Sequence, residues 1–179
     1  VNGPHVVLVG CTKSKRTEPA AGRDLYDPSD LFRRRRAYAE STGLPWGIVS
    51  ALYGLVEPTQ VVKPYEMTIA QRATAEHGGT RHWARSVLRR SFELAGMTAT
   101  ARDARGFAYF PEHLVVEVHA GIDYVRALRD VAGDYRSGVT VLHPVAGLMI
   151  GQQKQHYAGL LAEPADEIPT TYGQLALAL

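Results

Sequence analysis

The segment Gly10-Cys11-Thr12-Lys13-Ser14-Lys15 places a thiol, two hydroxyls and two ammonium groups within six residues, with no acid among them. Lys13 and Lys15 make such a loop anion-seeking, and backbone N–H groups turned outward would add to that. Beside two lysines the Cys11 thiol is expected to ionise more readily, which raises the fraction that attacks electrophiles. The competing expectation is a small buried hydrophobe at a strand end. Glu66, in Lys63-Pro64-Tyr65-Glu66, is a carboxylate flanked by other candidates. It suits a general base or a nucleophile on a sugar carbon, or else an acid in the first turn of a helix starting near Thr68. His119 and His143 each follow an apolar run and are candidate proton carriers near neutral pH, or merely hydrogen-bonded strand ends. The expected catalytic set is Cys11, Lys13, Glu66 and His119.

The expected binding set is spread along the chain. Gly10 permits close backbone approach, and Thr12 and Lys15 follow it. Ser50, Tyr53 and Gly54 close a second apolar run, with Tyr65 on the loop beyond, and Gly121 and Tyr124 follow a third. Gln152 and Gln153 open a late helix and carry paired donors and acceptors suited to a base edge. Gly147 and Gly151, four apart, leave one helical face bare for close packing against the sheet or a ligand. The glycine spacing matches neither a phosphate-binding P-loop nor a dinucleotide fingerprint, so neither ATP nor NAD is expected, and no cofactor is assigned. A single cysteine excludes a multi-cysteine zinc site, His113 and His119 are not at metal-ligand spacing, and no metal is expected. The implied partner is a small-molecule nucleoside or nucleotide, or a modified nucleic-acid base.

These residues need a scaffold that brings them together. Val6 to Val9 is a continuous, mostly β-branched run, as for a central strand buried on both faces. Trp46 to Leu52, His113 to Val118 and Val139 to Leu142 supply three more strands. Helices are expected over Leu31 to Ser41, from Thr68 onward with a break at Gly78-Gly79, from Thr80 to Leu94, Ile122 to Val131 and Leu148 to Leu161. On the first of them Leu31, Phe32, Arg35 and Tyr38 share a face. At least two of the arginines from Arg33 to Arg36 should be solvated, and one could reach a phosphate at the strand ends. Met97 to Pro111 has no clear pattern. Alternating strand and helix implies an α/β fold, a Rossmann-like three-layer sandwich around a mostly parallel sheet of at least four strands. One domain over 1–162 and a tail over 163–179, with one further helical turn, are expected.

Bulk properties narrow the classes. With 179 residues, 45% hydrophobic and 21% charged, the chain has the composition of an ordinary globular protein. A net charge of +2 is far from that of a protein coating nucleic acid by charge, and departs from the usual duplex-DNA binder. No run is long enough to span a bilayer and the first residues lack a signal-peptide layout, so a cytoplasmic location is expected.

Gly10-Cys11-Thr12-Lys13-Ser14-Lys15, with Leu25-Tyr26 and Leu31-Phe32, resembles the start of a bacterial and phage family. The resemblance extends to Ser50 through Leu55, to Pro64 through Thr68, and to Gly147-Leu148-Met149-Ile150-Gly151-Gln152-Gln153. That family is proposed to act in hypermodification of thymidine in DNA, as a pyrophosphorylase or transferase. The first motif is also distantly similar to the cysteine-serine-x-x-lysine segment of archaeosine synthase, which adds an amine to a deazaguanine base. The resemblance implies an enzyme acting on a nucleoside, nucleotide or modified base, by transfer or hydrolysis. Two other readings stand beside it: N-glycosidase or glycosyl transfer through Glu66, and a non-catalytic nucleotide-binding module.

Overall fold

A computed structural model describes residues 3–73, 79–102 and 108–162. In chain order the elements are β1 (His5–Gly10), β2 (Ala20–Ala21), α1 (Gly22–Leu25), α2 (Asp30–Ser41), β3 (Trp46–Ser50), β4 (Gly54–Val56) and β5 (Val61–Val62). There follow α3 (Ile69–Arg72), α4 (Gly79–Leu94), β6 (Ala101–Arg102), β7 (Ala108–Tyr109), β8 (Leu114–His119), α5 (Ile122–Ala132), β9 (Val139–Leu142) and α6 (Ile150–Ala162). The fold is α/β, a five-stranded, mostly parallel sheet flanked by helices, in the order β4-β3-β1-β8-β9.

β1 lies at the centre because Val6, Val7, Leu8 and Val9 are apolar on both faces, and all four are fully buried. It pairs in parallel with β3 on one side and β8 on the other. Alternate residues feed two cores. Val6 and Leu8 pack with Trp83, Val87, Leu88 and Phe92 of α4 and with Val125, Leu128 and Val131 of α5. Val7 and Val9 pack with Phe32 and Ala39 of α2, and with Tyr26 and Ile48. In β8 the second of these faces carries Glu117 and His119, in register with Val7 and Val9. α6 packs along α2 and buries Tyr157.

Several boundaries differ from expectation. The second strand ends at Ser50 rather than Leu52, and the chain reverses at Gly54 (φ 73°) into β4, which runs antiparallel to β3. A left-handed backbone at the reversal favours glycine. Gly79 opens α4, while Gly78 and the expected tail with its helical turn lie outside the described residues. Gly147 and Gly151 pack against nothing: a Cβ on either would meet no atom within 4 Å, which corrects the expected close approach. α2 is capped by the Ser29 hydroxyl, which accepts from Phe32 N. Arg33, Arg34 and Arg36 turn to acids at Asp24, Asp27, Asp30 and Glu40, and Arg35 alone of the four is buried.

After β1 the chain crosses to β3 on one side and later returns to β8 on the other, so the switch point, where open sheets of this kind bind ligands, lies between the carboxyl ends of β1 and β8. Gly10 stands at it. A Cβ there would lie 2.9 Å from the Ala120 Cβ and 3.0 Å from its Cα. Gly10→Ala should therefore cost about 1–3 kcal/mol, as overpacking against backbone does. Urea unfolding measures it, and an unchanged midpoint would mean that the two strands part freely.

Candidate active site

The loop after β1 faces the stretch that leads into α3. Between them is a cleft of about 450 Å³, a size common for small-ligand sites. Cys11, Thr12, Lys13 and Lys15 line one wall. Glu66, Met67, Thr68, Ile69 and Gln71 line the other, and Tyr124 of α5 completes it. A larger hollow of about 610 Å³ lies between Glu93 and Arg102, but no thiol, histidine or tyrosine lines it.

Local sequence explains the second wall. Thr68 caps α3 by a reciprocal pair: its hydroxyl accepts from Gln71 N at 3.3 Å, and Gln71 Oε1 accepts from Thr68 N at 2.7 Å. Glu66 thus stands two residues before the cap, outside the helix's first turn, and is not the helix-start acid that was its alternative role. It is exposed, and among the described residues it makes no hydrogen bond or ion pair. Pro64 holds Lys63 out of helical geometry and brings Tyr65 inward.

Behind the loop lies a group of hydroxyls. Ser50 Oγ donates to Tyr65 OH at 2.7 Å, and the Tyr26 and Tyr65 hydroxyls are 3.2 Å apart. Ser50 Oγ also accepts from Tyr53 N at 3.0 Å. Lys15 Nζ sits 4.5 Å from the centre of the Tyr65 ring and donates to Lys13 O at 3.2 Å. Cys11, half-buried, has its Sγ 3.4 Å from Tyr124 OH. Burial pushes the Tyr26, Tyr65 and Tyr124 phenols well above their ordinary value. They therefore act at neutral pH as uncharged hydrogen-bond partners, not as bases.

Other expected residues stand elsewhere. Tyr53 packs edge-on against Tyr65 and donates to Lys63 O, supporting the wall from behind with Gly54 at its turn. Gly121 caps the start of α5, next to Tyr124. Gln152 accepts from Met149 N, and the Gln153 amide accepts from Arg35 Nη2 and donates to Leu148 O. His143 Nε2 meets Ala120 O at 3.1 Å.

His119 is the main correction. It is fully buried on the α2 and α6 side of the sheet, not on the cleft wall. Its Nε2 meets Glu117 Oε1 at 2.6 Å and its Nδ1 meets Tyr157 OH at 2.8 Å. Tyr38 donates to Glu117 Oε1 at 2.7 Å, while His5 Nε2 lies 3.3 Å from Glu117 Oε2 without the alignment of a hydrogen bond. A neutral His119 satisfies every partner: Nε2–H donates to the carboxylate and Nδ1 accepts from Tyr157. Burial holds the His119 pKa below its ordinary value, against the upward pull of Glu117. Burial would raise that of Glu117, but the hydrogen bond from His119, the nearby His5 ring and the Tyr38 hydroxyl hold it well below the usual carboxylate range. Glu117, Arg35, Tyr26 and Tyr157 were not in the expected site. The signal for Glu117 was an acid inside an otherwise apolar strand.

The network makes the fold acid-labile. Stability from ionised Glu117 is present above its unfolded pKa and is lost as pH falls toward the folded value. Below about pH 6.5 unfolded imidazole gains a proton that folded His119 refuses, which lowers stability further. Urea midpoints should fall steadily from about pH 7 to about pH 4. A flat profile would refute the assignment of charged Glu117 beside neutral His119.

Among the described residues no group of three His, Cys, Asp or Glu side chains is placed to hold a metal ion, and no helix is long and apolar enough to cross a membrane. A family model described as a family of unknown function (DUF6884) matches residues 6–159, which include every residue lining the cleft. No curated protein and no solved structure matches the chain.

Proposed function

Because the chain belongs to the DUF6884 family, whose description carries no activity, the site itself must supply the reading, and we propose an enzyme acting on a nucleoside, nucleotide or modified nucleobase. The observation that carries it is the meeting of a thiol, two lysines, a carboxylate and a phenol around one cleft at the end of β1. Simple binding does not require a nucleophile and a free acid together. Lys13, Lys15 and the loop amides hold the anionic group; among the described residues none of the N–H groups of residues 12–15 is bonded within the protein. Tyr124 steadies the Cys11 sulfur, and Cys11 or Glu66 reacts.

The same reading takes the fold as a Rossmann-like three-layer sandwich. It is supported by α4 and α5 covering one set of β1 side chains while α2 covers the other. The resemblance to a thymidine-hypermodifying family supports modified pyrimidines, free and in DNA, as the first substrates to try. Against that panel, Lys13→Ala should lose roughly 10- to 100-fold in kcat/KM for anionic substrates, the range for a charged hydrogen bond. Lys13 is exposed, so the melting temperature should hold. Full activity in this variant would remove the anion-holding role.

A second reading is favoured by the unpartnered state of Glu66. Here its carboxylate attacks the anomeric carbon, the C–N bond to the base breaks, and the base leaves with a proton taken from solvent. Water or an acceptor hydroxyl then releases the sugar, displacing the carboxylate and returning its proton to solvent. Free base in the product separates this reading from chemistry on the base itself.

A further inference from the structure

Arg35 is unlike its three neighbours on α2. It is 6% exposed, and no carboxylate pairs with it among the described residues. The guanidinium reaches the end of β1, where Nη1 would lie 3.2 Å from a Cβ on Gly10. Nη2 donates to Gln153 Oε1 at 2.8 Å, and Nε is buried with no partner. A guanidinium buried with one donor unmet and no carboxylate for a partner is costly, and an apolar side chain would pack α2 more cheaply.

The surroundings favour negative charge. Gly10 lacks the side chain that would separate the guanidinium from the switch point, and Ala120, pressed against Gly10, leads into the start of α5. Tyr157 lies close enough to Arg35 to favour its charged form, its hydroxyl donates to His119 Nδ1, and His119 Nε2–H donates to Glu117. These three side chains link the guanidinium to a distant counter-charge, and its Nε is left without a partner.

We propose that Arg35 is an oxyanion receptor at the switch point between β1 and β8, taking a phosphate-type group on Nε and Nη2 and displacing Gln153 Oε1, its resting acceptor. Two parallel N–H donors match two adjacent oxygens of such a group. Glu117, His119 and Tyr157 are positioning residues for it. The inference deepens the proposed function and rests on it for the identity of the natural ligand, since the substrate's anionic group would reach Arg35 beyond the lysine loop. Binding itself needs no turnover, so failure here leaves the enzyme reading in place.

The test is a titration of the whole chain with inorganic phosphate and pyrophosphate, followed by the Arg35 Nε–Hε resonance, with acetate as a separate arm. The resonance is identified by its loss in Arg35→Lys or, if that variant does not fold, through bonds from the Arg35 backbone. A saturable shift with phosphate is expected, retained in the Lys13→Ala, Lys15→Ala double variant and reached at several-fold lower phosphate in Gln153→Ala. An unmoved resonance at millimolar phosphate overturns the receptor. So does a shift that vanishes with the two lysines. Response to acetate alone overturns the phosphate class.

Discussion

Glu117→Ala will destabilise the protein by about 3–5 kcal/mol, the range for removing one member of a buried charged network. The side chain is 3% exposed and receives Tyr38, His119 and the approach of His5. Its loss strands a phenol and an imidazole donor in the core and removes the only carboxylate connected to Arg35 through Tyr157 and His119 among the described residues. Urea unfolding at neutral pH measures the effect. Glu117→Gln, which keeps the shape but turns an amide toward the same donors, should fall between the two proteins. A loss below about 1 kcal/mol, the net worth of one neutral hydrogen bond, would mean that the network is solvated and carries no buried charge.

Glu66→Gln will leave the fold intact and lower turnover by roughly 10²–10⁴-fold, the usual contribution of a positioned acid or base. The residue is exposed and free of partners among the described residues, so its unfolding free energy should stay within about 0.5 kcal/mol of the parent. Single-turnover rates on the nucleoside panel provide the readout. Wild-type rates in this variant, with loss in Cys11→Ser, would transfer the chemistry to the thiol and end the glycosyl-transfer reading.

The central strand, the helix α2 and the loop after β1 were legible because each rests on local chemistry. Four apolar, mostly β-branched residues stopping at Gly10 suit an inner strand, and Ser29 caps the helix that begins at Asp30. The meeting of Cys11, Lys13, Glu66 and Tyr124 came from placing strand ends on one rim. β4 was not legible as a strand, since three residues after a glycine turn are too few to show a period; once it is a strand, the short connection from Ser50 fixes it as antiparallel. Nor was the side to which His119 points legible. Alternation puts it with Glu117, but which helices cover that face is settled only by the crossovers. Arg35 was within reach of the sequence, because residues 32, 35 and 39 repeat at helical spacing and the other two are core positions. Helical spacing put Arg35 on that face and allowed one of the four arginines to reach the strand ends, but did not place Arg35 in the site.

Trp83 is buried against the cleft's back wall: its indole N–H donates to Ser50 O at 2.9 Å, and its ring meets the Tyr124 ring at 5.6 Å. The second of the chain's two tryptophans, Trp46, begins β3 at the opposite end of the sheet. The molecule therefore carries its own optical gauge. Emission from Trp83 should change when anything settles beside Tyr124, and Trp46 supplies a steady reference, so occupancy can be followed before any product has been identified.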